Sequence, residues 1–240
     1  MKNKLSRIYN VQASDCDYTG ALGFVGMFNL FMNLATEHAG LLGVGSGVLR
    51  EKNCFWVAAK TRIRASRCPK MLEEVTVSTW PEKPKNIRYN RYYCVEDKNG
   101  VIVEGKTEWT ILDAESGRPC KSSDVYPQDL EHLTDVVCSE PFARIPTDFS
   151  DCEEIRSHKV LSADIDLSLH MNNVAYIRAM LSAFTCAELS AMNIKEIEIA
   201  YRSQCYEGEV LSVRRRITED GMEIGFVKAD GTCGAVLKLS

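Results

Sequence analysis

Apolar residues recur along this chain in two rhythms, and the rhythms come in the same order twice. Residues 6–13 alternate as a strand does. From 22 to 42, Phe24, Met27, Phe28, Phe31, Leu34, Ala35, His38 and Leu42 fall three or four apart, which predicts one long half-buried helix with His38 on its core face. Gly43, Gly45 and Gly47 end it. The stretches 55–65, 74–80, 87–96 and 101–113 then read as strands, with Lys98-Asn99-Gly100 as a hairpin turn. Between 116 and 154 the periodicity stops, and Pro119, Pro127, Pro141 and Pro146 among polar residues mark a linker with little regular structure. The rhythm restarts with a strand at 158–163 and a helix at 173–189 that turns Val174, Ile177, Leu181 and Phe184 inward. Strands at 195–205, 209–218, 222–229 and 232–239 follow, the last three joined through Asp220-Gly221 and Asp230-Gly231.

The repetition extends to individual residues. Asp15-Cys16-Asp17-Tyr18-Thr19 matches Asp164-Ile165-Asp166-Leu167-Ser168 at a separation of 149, and Ser66-Arg67-Cys68 matches Ser203-Gln204-Cys205 at 137. Two matches in the same order on the same predicted elements indicate an internal duplication. A long helix followed by an antiparallel meander is an α+β unit of the hot-dog kind, in which the sheet wraps the helix. The expected architecture is a tandem (double) hot-dog, with one unit over 1–125, a linker over 126–154 and a second unit over 155–240. Such a fused pair is a pseudo-dimer, with its sites expected at the seam.

Composition narrows the function classes. At 45% hydrophobic residues over 240 positions, two small cores can be filled. A net charge of -4 and a pI near 5.7 argue against a general binder of nucleic acid or of anionic membranes. No apolar run approaches the roughly 18 residues of a membrane span, and no signal-peptide core is evident, so no membrane insertion and a cytoplasmic location are expected. The ten cysteines form no CxxC pair and no His-spaced metal set, which points to reduced thiols.

The chemistry-bearing stretch is Asp164-Ile165-Asp166-Leu167-Ser168-Leu169-His170-Met171-Asn172-Asn173-Val174-Ala175-Tyr176, where a strand gives way to a helix. Read alone, Asp164, Asp166 and Ser168 are turn and capping residues, and His170 a turn-fixing histidine. Read as chemistry, a helix starting near Asn172 offers backbone N–H groups of Asn172, Asn173 and Val174 to an oxyanion. His170 lies just ahead of them as a residue type suited to acid–base work, and Asp166 can orient it or take a proton. Cys205 offers a thiolate nucleophile as another route, against the plainer reading of a buried small hydrophobe.

This stretch resembles the DxDxNxHxNNxxY motif of the acyl-acyl carrier protein (acyl-ACP) thioesterase family, departing from it only at Ser168. The likeness extends to Phe55-Trp56-Val57, Thr79-Trp80-Pro81 and the strand end from Trp109 to Leu112-Asp113. The resemblance implies a double hot-dog fold and hydrolysis of fatty acyl-ACP to free fatty acid and ACP, with no metal or organic cofactor. It makes Asp166 and His170 catalytic, together with the positions of Ser168, Gln204 and Cys205. The family carries a Glu-Cys pair where this chain has Gln204-Cys205, and glutamine cannot act as a base. Hydrolysis would then fall to Asp166 or His170. The rivals are an acyl-CoA thioesterase on the same fold and a weakly active or non-catalytic acyl-binding protein.

By the same resemblance the first unit supplies the acyl pocket, with Met27, Phe28, Phe31, Leu34 and Trp56 as candidate linings, although helical spacing alone marks the helix residues as plain core. ACP is acidic, and Arg62, Arg64 and Arg67 alternate along one strand and its exit as a candidate carrier face. Arg214-Arg215-Arg216 is a second, and a solvated strand face is the plain reading of both. His132 and His158 have no context. Ala21 stands where a first-half counterpart of His170 would be, so one active centre per chain is expected, in a monomeric pseudo-dimer or a homodimer.

Overall fold

The 3.6-residue spacing in the first half becomes α1 (Phe24–Leu41), whose buried face carries Gly26, Met27, Phe28, Phe31, Leu34, Ala35 and His38. A computed structural model describes residues 3–240, which divide into two units, the first ending at Glu140 and the second running Pro141–Ser240. In the first, β1 (Leu5–Asn10), β2 (Cys54–Ala65), β3 (Glu74–Pro81), β4 (Tyr89–Asp97) and β5 (Gly100–Asp113) pair antiparallel in the order β1-β3-β4-β5-β2. Two short helices, α2 (Ser46–Glu51) and α3 (Ser122–Val125), complete it. The Phe31 ring stacks on Tyr93 at 4.6 Å, and a Cβ at Gly105 would stand 2.5 Å from that ring. Glycine is what lets the helix lie this close to the strand. Each such buried aromatic contributes about 1.5–3 kcal/mol.

The second unit repeats this with β6 (Glu153–Lys159), α4 (Asn173–Leu181), α5 (Cys186–Met192), β7 (Glu196–Tyr201), β8 (Val210–Thr218), β9 (Gly221–Val227) and β10 (Cys233–Leu239), in the sheet order β7-β10-β9-β8-β6. Substituting each strand by its first-half counterpart reproduces the first order read backwards, so the two topologies are the same: each unit is a helix laid on a five-stranded antiparallel sheet. Tyr176 fills the place on α4 that faces Tyr201 and Phe226, with ring centroids at 5.5 and 6.0 Å.

Several boundaries differ from the pattern. The helix expected over 173–189 is two helices, because Ser182 Oγ bonds back to the Ala179 carbonyl at 2.8 Å and Thr185 with Glu188 forms a capping box that starts α5. The strand expected over 195–205 ends at Tyr201, so Gln204 and Cys205 lie in the turn beyond β7 rather than on a strand. β6 begins at Glu153, five residues before the expected 158, where Glu153 meets Arg215 at 2.7 Å across the sheet. The proline-rich segment is irregular, as expected, but it is held down. Leu133 and Val137 pack on Trp80, Tyr92 and Cys94 in the first unit, and Trp80 Nε1 donates to the Asp135 carbonyl at 2.8 Å. In the second, Phe149 sits on Gly225 among Ile145, Ala200, Cys233 and Val236.

All ten cysteines lie among the described residues, and none is in a disulfide. Among the described residues no helix is long and apolar enough to cross a membrane.

Candidate active site

A closed loop joins β6 to α4. Its base is pinned by Asn172 N–H donating to the Asp164 carbonyl at 2.7 Å and by the bridge between Ile165 and Met171. Within it Asp166 N–H donates to the His170 carbonyl at 3.2 Å, and Leu169 N–H to the Asp166 carbonyl at 3.0 Å. Asp166 Oδ1 accepts the Ser168 N–H at 2.8 Å, an Asx turn that leaves Oδ2 without a partner among the described residues. Leu169 takes a left-handed φ of 60°. Asp166 and His170 are half-buried, while Ser168 is exposed.

The His170 ring lies with Nδ1 3.3 Å from the Met171 carbonyl. A carbonyl oxygen only accepts, so Nδ1 is the donor in this contact, and in the neutral ring Nε2 is then the acceptor. At the start of α4 the Asn172 N–H is spent on Asp164, and the Val174 N–H on Asn172 Oδ1 at 2.8 Å, the cap of the helix. Of the three donors expected from sequence, only the Asn173 N–H lacks an acceptor among the described residues.

The segment after β7 is bound to this loop and to α4 through the backbone of one residue, Cys205. Met171 N–H donates to the Cys205 carbonyl at 2.8 Å, and the Cys205 N–H donates to the Tyr176 hydroxyl at 3.0 Å. The Tyr176 hydroxyl in turn faces the Ser203 carbonyl at 3.4 Å. Burial pushes the Tyr176 phenol far up, so it stays a neutral donor and acceptor. Gln204 is exposed, and its Oε1 accepts from the Tyr206 hydroxyl at 2.7 Å. Cys205 is fully buried, with its sulfur so near Gly234 that a Cβ there would come within 2.6 Å. Burial pushes its thiol up, away from the thiolate that a nucleophile requires.

The first unit builds the same loop. Asp17 Oδ1 accepts the Thr19 N–H at 2.8 Å, Asp17 N–H donates to the Ala21 carbonyl at 2.8 Å, and Gly20 takes the left-handed position with φ 69°. Here Leu22 N–H donates to the Pro69 carbonyl at 2.8 Å, so Pro69 is the counterpart of Cys205 at a separation of 136. The expected match of Cys68 with Cys205 is therefore one residue out. The turn beyond repeats the corrected register, with Leu72 N–H on the Val11 carbonyl and Gly208 N–H on the Val160 carbonyl, both at 2.9 Å.

Two site features were not identified from sequence. Asp164, 8% exposed, has Oδ2 3.2 Å from His158 Nε2 and Oδ1 3.4 Å from an Arg178 nitrogen, so it ties β6 and α4 to the base of the loop. His158 stacks on Phe226 at 5.9 Å, which also borders Tyr176. The duplication held the signal: Tyr9, 149 positions before His158, bonds Asp15 in the same way, and burial together with Asp15 pushes its phenol up to about 12.

The remaining expected residues belong to the first unit. Met27, Phe28, Phe31 and Leu34 are core of the first unit, and Trp56 donates to the Val44 carbonyl at 2.8 Å beside Tyr89 and Trp109. The arginine stripe is engaged by its own chain: buried Arg62 donates to the Glu140 carbonyl at 3.1 Å, Arg64 meets Glu140 at 3.3 Å, and Arg67 bridges Glu73 and Asp97. Arg62, at 4% exposure, cannot face a partner as expected.

Known proteins match both halves. The sequence profile of the acyl-ACP thioesterase N-terminal domain matches residues 2–128, and that of the C-terminal domain 149–237. A chloroplastic palmitoyl-acyl carrier protein thioesterase of Arabidopsis thaliana is 25% identical over 228 residues, covering 89% of this chain and 55% of the relative. A chloroplastic oleoyl-acyl carrier protein thioesterase of Coriandrum sativum is 25% identical over 204 residues, covering 76% of this chain and 54% of the relative. The chain thus spans about half the length of these curated relatives. Among solved structures, an acyl-ACP thioesterase from Bacteroides thetaiotaomicron superposes with a TM-score of 0.87 at 23% identity, covering 99% of this chain and 97% of that one. The 12:0-ACP thioesterase from Umbellularia californica gives 0.86 at 15% identity, covering 100% and 97%. Those two likenesses show the fold, a tandem hot-dog. The profiles together cover most of the sequence, and the chain belongs to the acyl-ACP thioesterase family.

Proposed function

We propose that this protein hydrolyses fatty acyl thioesters carried on ACP, releasing free fatty acid and ACP within fatty acid biosynthesis. The observation that carries the reading is a half-exposed imidazole, with Nδ1 turned to the Met171 carbonyl, on the loop leading into a helix whose Asn173 N–H lacks an acceptor among the described residues. Water attacks the thioester carbonyl and loses its proton to His170 Nε2. The developing oxyanion takes the Asn173 N–H, aided by the positive end of α4. The C–S bond then breaks, and His170 returns the proton to the departing thiolate. Asp166 Oδ2 is available to hold the water or the imidazolium. The buried Cys205 thiol receives no covalent step.

One observation favours a second reading, acyl binding without turnover: Gln204 presents an amide, engaged by Tyr206, where the family resemblance calls for a carboxylate. The two separate in one assay. Purified protein is offered acyl-ACP of several chain lengths and the matched acyl-CoA thioesters, alongside Asp166→Asn and His170→Ala. Release of free thiol by the wild type, faster from ACP and lost in both variants, supports hydrolysis of the carrier-bound substrate. Retained acyl binding with no thiol release favours the binder, and unchanged turnover in both variants removes the assigned mechanism.

A further inference from the structure

The first unit buries a cation that no carboxylate answers. Arg91, on β4, is 7% exposed, and no acidic side chain among the described residues pairs with it. Its Nη1 donates to His38 Nδ1, in the last turn of α1, at 3.0 Å and to the Thr79 hydroxyl on β3 at 3.3 Å. Thr79 passes its own proton to the Tyr92 carbonyl at 2.9 Å, so its hydroxyl can only accept from the arginine. The remaining donors of the guanidinium, on Nε and Nη2, meet no acceptor among the described residues. Burial pushes the Arg91 pKa down from its ordinary value, yet a guanidinium keeps its proton, and a buried charge is normally paired.

The neighbouring groups supply no anion. Alternation turns Tyr89, Arg91 and Tyr93 to the α1 side of β4, and cross-strand pairing sets Trp109 beside Tyr89 and Thr107 beside Arg91. The Thr107 hydroxyl is spent on Thr61 at 3.0 Å. The Tyr93 hydroxyl and the Trp109 indole N–H lie near each other without completing a hydrogen bond, and the buried Tyr89 hydroxyl has no partner among the described residues. Every unmet group can donate, so the missing partner is an acceptor. One carboxylate would neutralise the single cation and match the two-pronged Nε and Nη2 edge, whereas a phosphate dianion would leave charge buried. Leu42, Val44, Ile111, Tyr126 and Trp56 pack in one cluster with Tyr89, which suits a carboxylate on an apolar body.

We infer that Arg91, with Tyr89 and Trp109 beside it, binds the carboxylate of an acyl chain in the interior of the first unit. The carboxylate comes either from a free fatty acid or from the far end of a carboxyl-ended acyl thioester. The site does not depend on the hydrolase reading, because its test measures binding. Dodecanoate and methyl dodecanoate are titrated by calorimetry into the wild type, Arg91→Met and Arg91→Lys, and tryptophan fluorescence is followed in parallel, since Trp109 and its neighbour Trp56 border the site.

The wild type is expected to bind the acid about tenfold more tightly than the ester, a gap that closes in Arg91→Met and survives only in part in Arg91→Lys, which keeps the charge without the fork. If Arg91→Met does not fold, the wild-type gap and its reduction in Arg91→Lys decide alone. Equal affinity for acid and ester, a gap unchanged in the variants, or acid binding that leaves tryptophan fluorescence unmoved would overturn the site, with water alone then filling it. The N-acetylcysteamine thioesters of dodecanoic acid and of dodecanedioic acid, offered to His170→Ala, separate the two sources. Tighter binding of the carboxyl-ended thioester, lost when Arg91→Met is added, assigns the site to the far end of a substrate chain, and equal binding assigns it to the free acid. Thioester turnover that persists in His170→Ala would count against the hydrolytic mechanism and leave the comparison of acid with ester standing.

Discussion

The loops over residues 15–22 and 164–171 share one hydrogen-bonded frame and differ in what hangs from it. Both close an Asx turn on their second aspartate, both use a left-handed residue three positions later, and both hand a backbone N–H to the turn that follows the next strand. In the second unit the frame carries His170 and is clamped further by the Tyr176 hydroxyl on the Cys205 N–H. In the first, Ala21 stands in place of His170, Met27 in place of Tyr176, and Pro69, which has no N–H, in place of Cys205. Donor and acceptor of the clamp are missing together. The frame is thus a folding device that both units need, and the additions belong to one.

The sharpest test of that contrast is kinetic. His170→Ala and Asp166→Asn are expected to lower kcat on acyl-ACP by about 10²–10⁴-fold, while Asp17→Asn, the counterpart in the first unit, leaves it within about twofold. Equal losses from Asp17→Asn and Asp166→Asn would erase the distinction. Next in size, Tyr176→Phe leaves the Cys205 N–H buried without an acceptor and should cost about 1–3 kcal/mol, seen as a lower Tm in calorimetry. Met27→Leu in the first unit removes no such partner and should cost less than about 1.5 kcal/mol. An equal fall in Tm would show that the clamp adds nothing.

Cys205→Ala is expected to leave kcat within about twofold, because a buried thiol pushed up by desolvation supplies little thiolate near neutral pH. Loss of activity, or a trapped acyl-enzyme by mass spectrometry in the wild type, would reinstate the covalent route. Leu169→Gly makes the second loop match Gly20 and should raise stability by about 1 kcal/mol, or a few degrees in Tm. An unchanged or lower Tm would mean that φ of 60° is not strained at this position.

Much of this was legible in the sequence because the duplication doubled every signal. The spacing of Met27, Phe28, Phe31 and Leu34 marked the buried face of α1, and the aspartate pairs at a separation of 149 marked two equivalent loops. What escaped depends on contacts that periodicity does not encode. The break between α4 and α5 follows from Ser182 and the Thr185 capping box, which interrupt a pattern whose apolar positions continue to Phe184. The chance likeness of Ser66-Arg67-Cys68 to Ser203-Gln204-Cys205 hid the true register, which only the hydrogen bonds to Pro69 and Cys205 reveal. His158 looked isolated because its partner Asp164 is six residues away around a corner, and Arg62 looked exposed because a strand's alternation does not say which face is covered.

The Cys205 backbone is held on both sides, its N–H by Tyr176 and its carbonyl by Met171, although it lies outside any strand. Such a buried amide exchanges its proton with solvent only when the turn parts from the Tyr176 hydroxyl on α4. In heavy water it should keep its proton as long as the interior of β9 does, while exposed amides of the surrounding turn lose theirs early. Its exchange rate would report how often this site opens, with no substrate present.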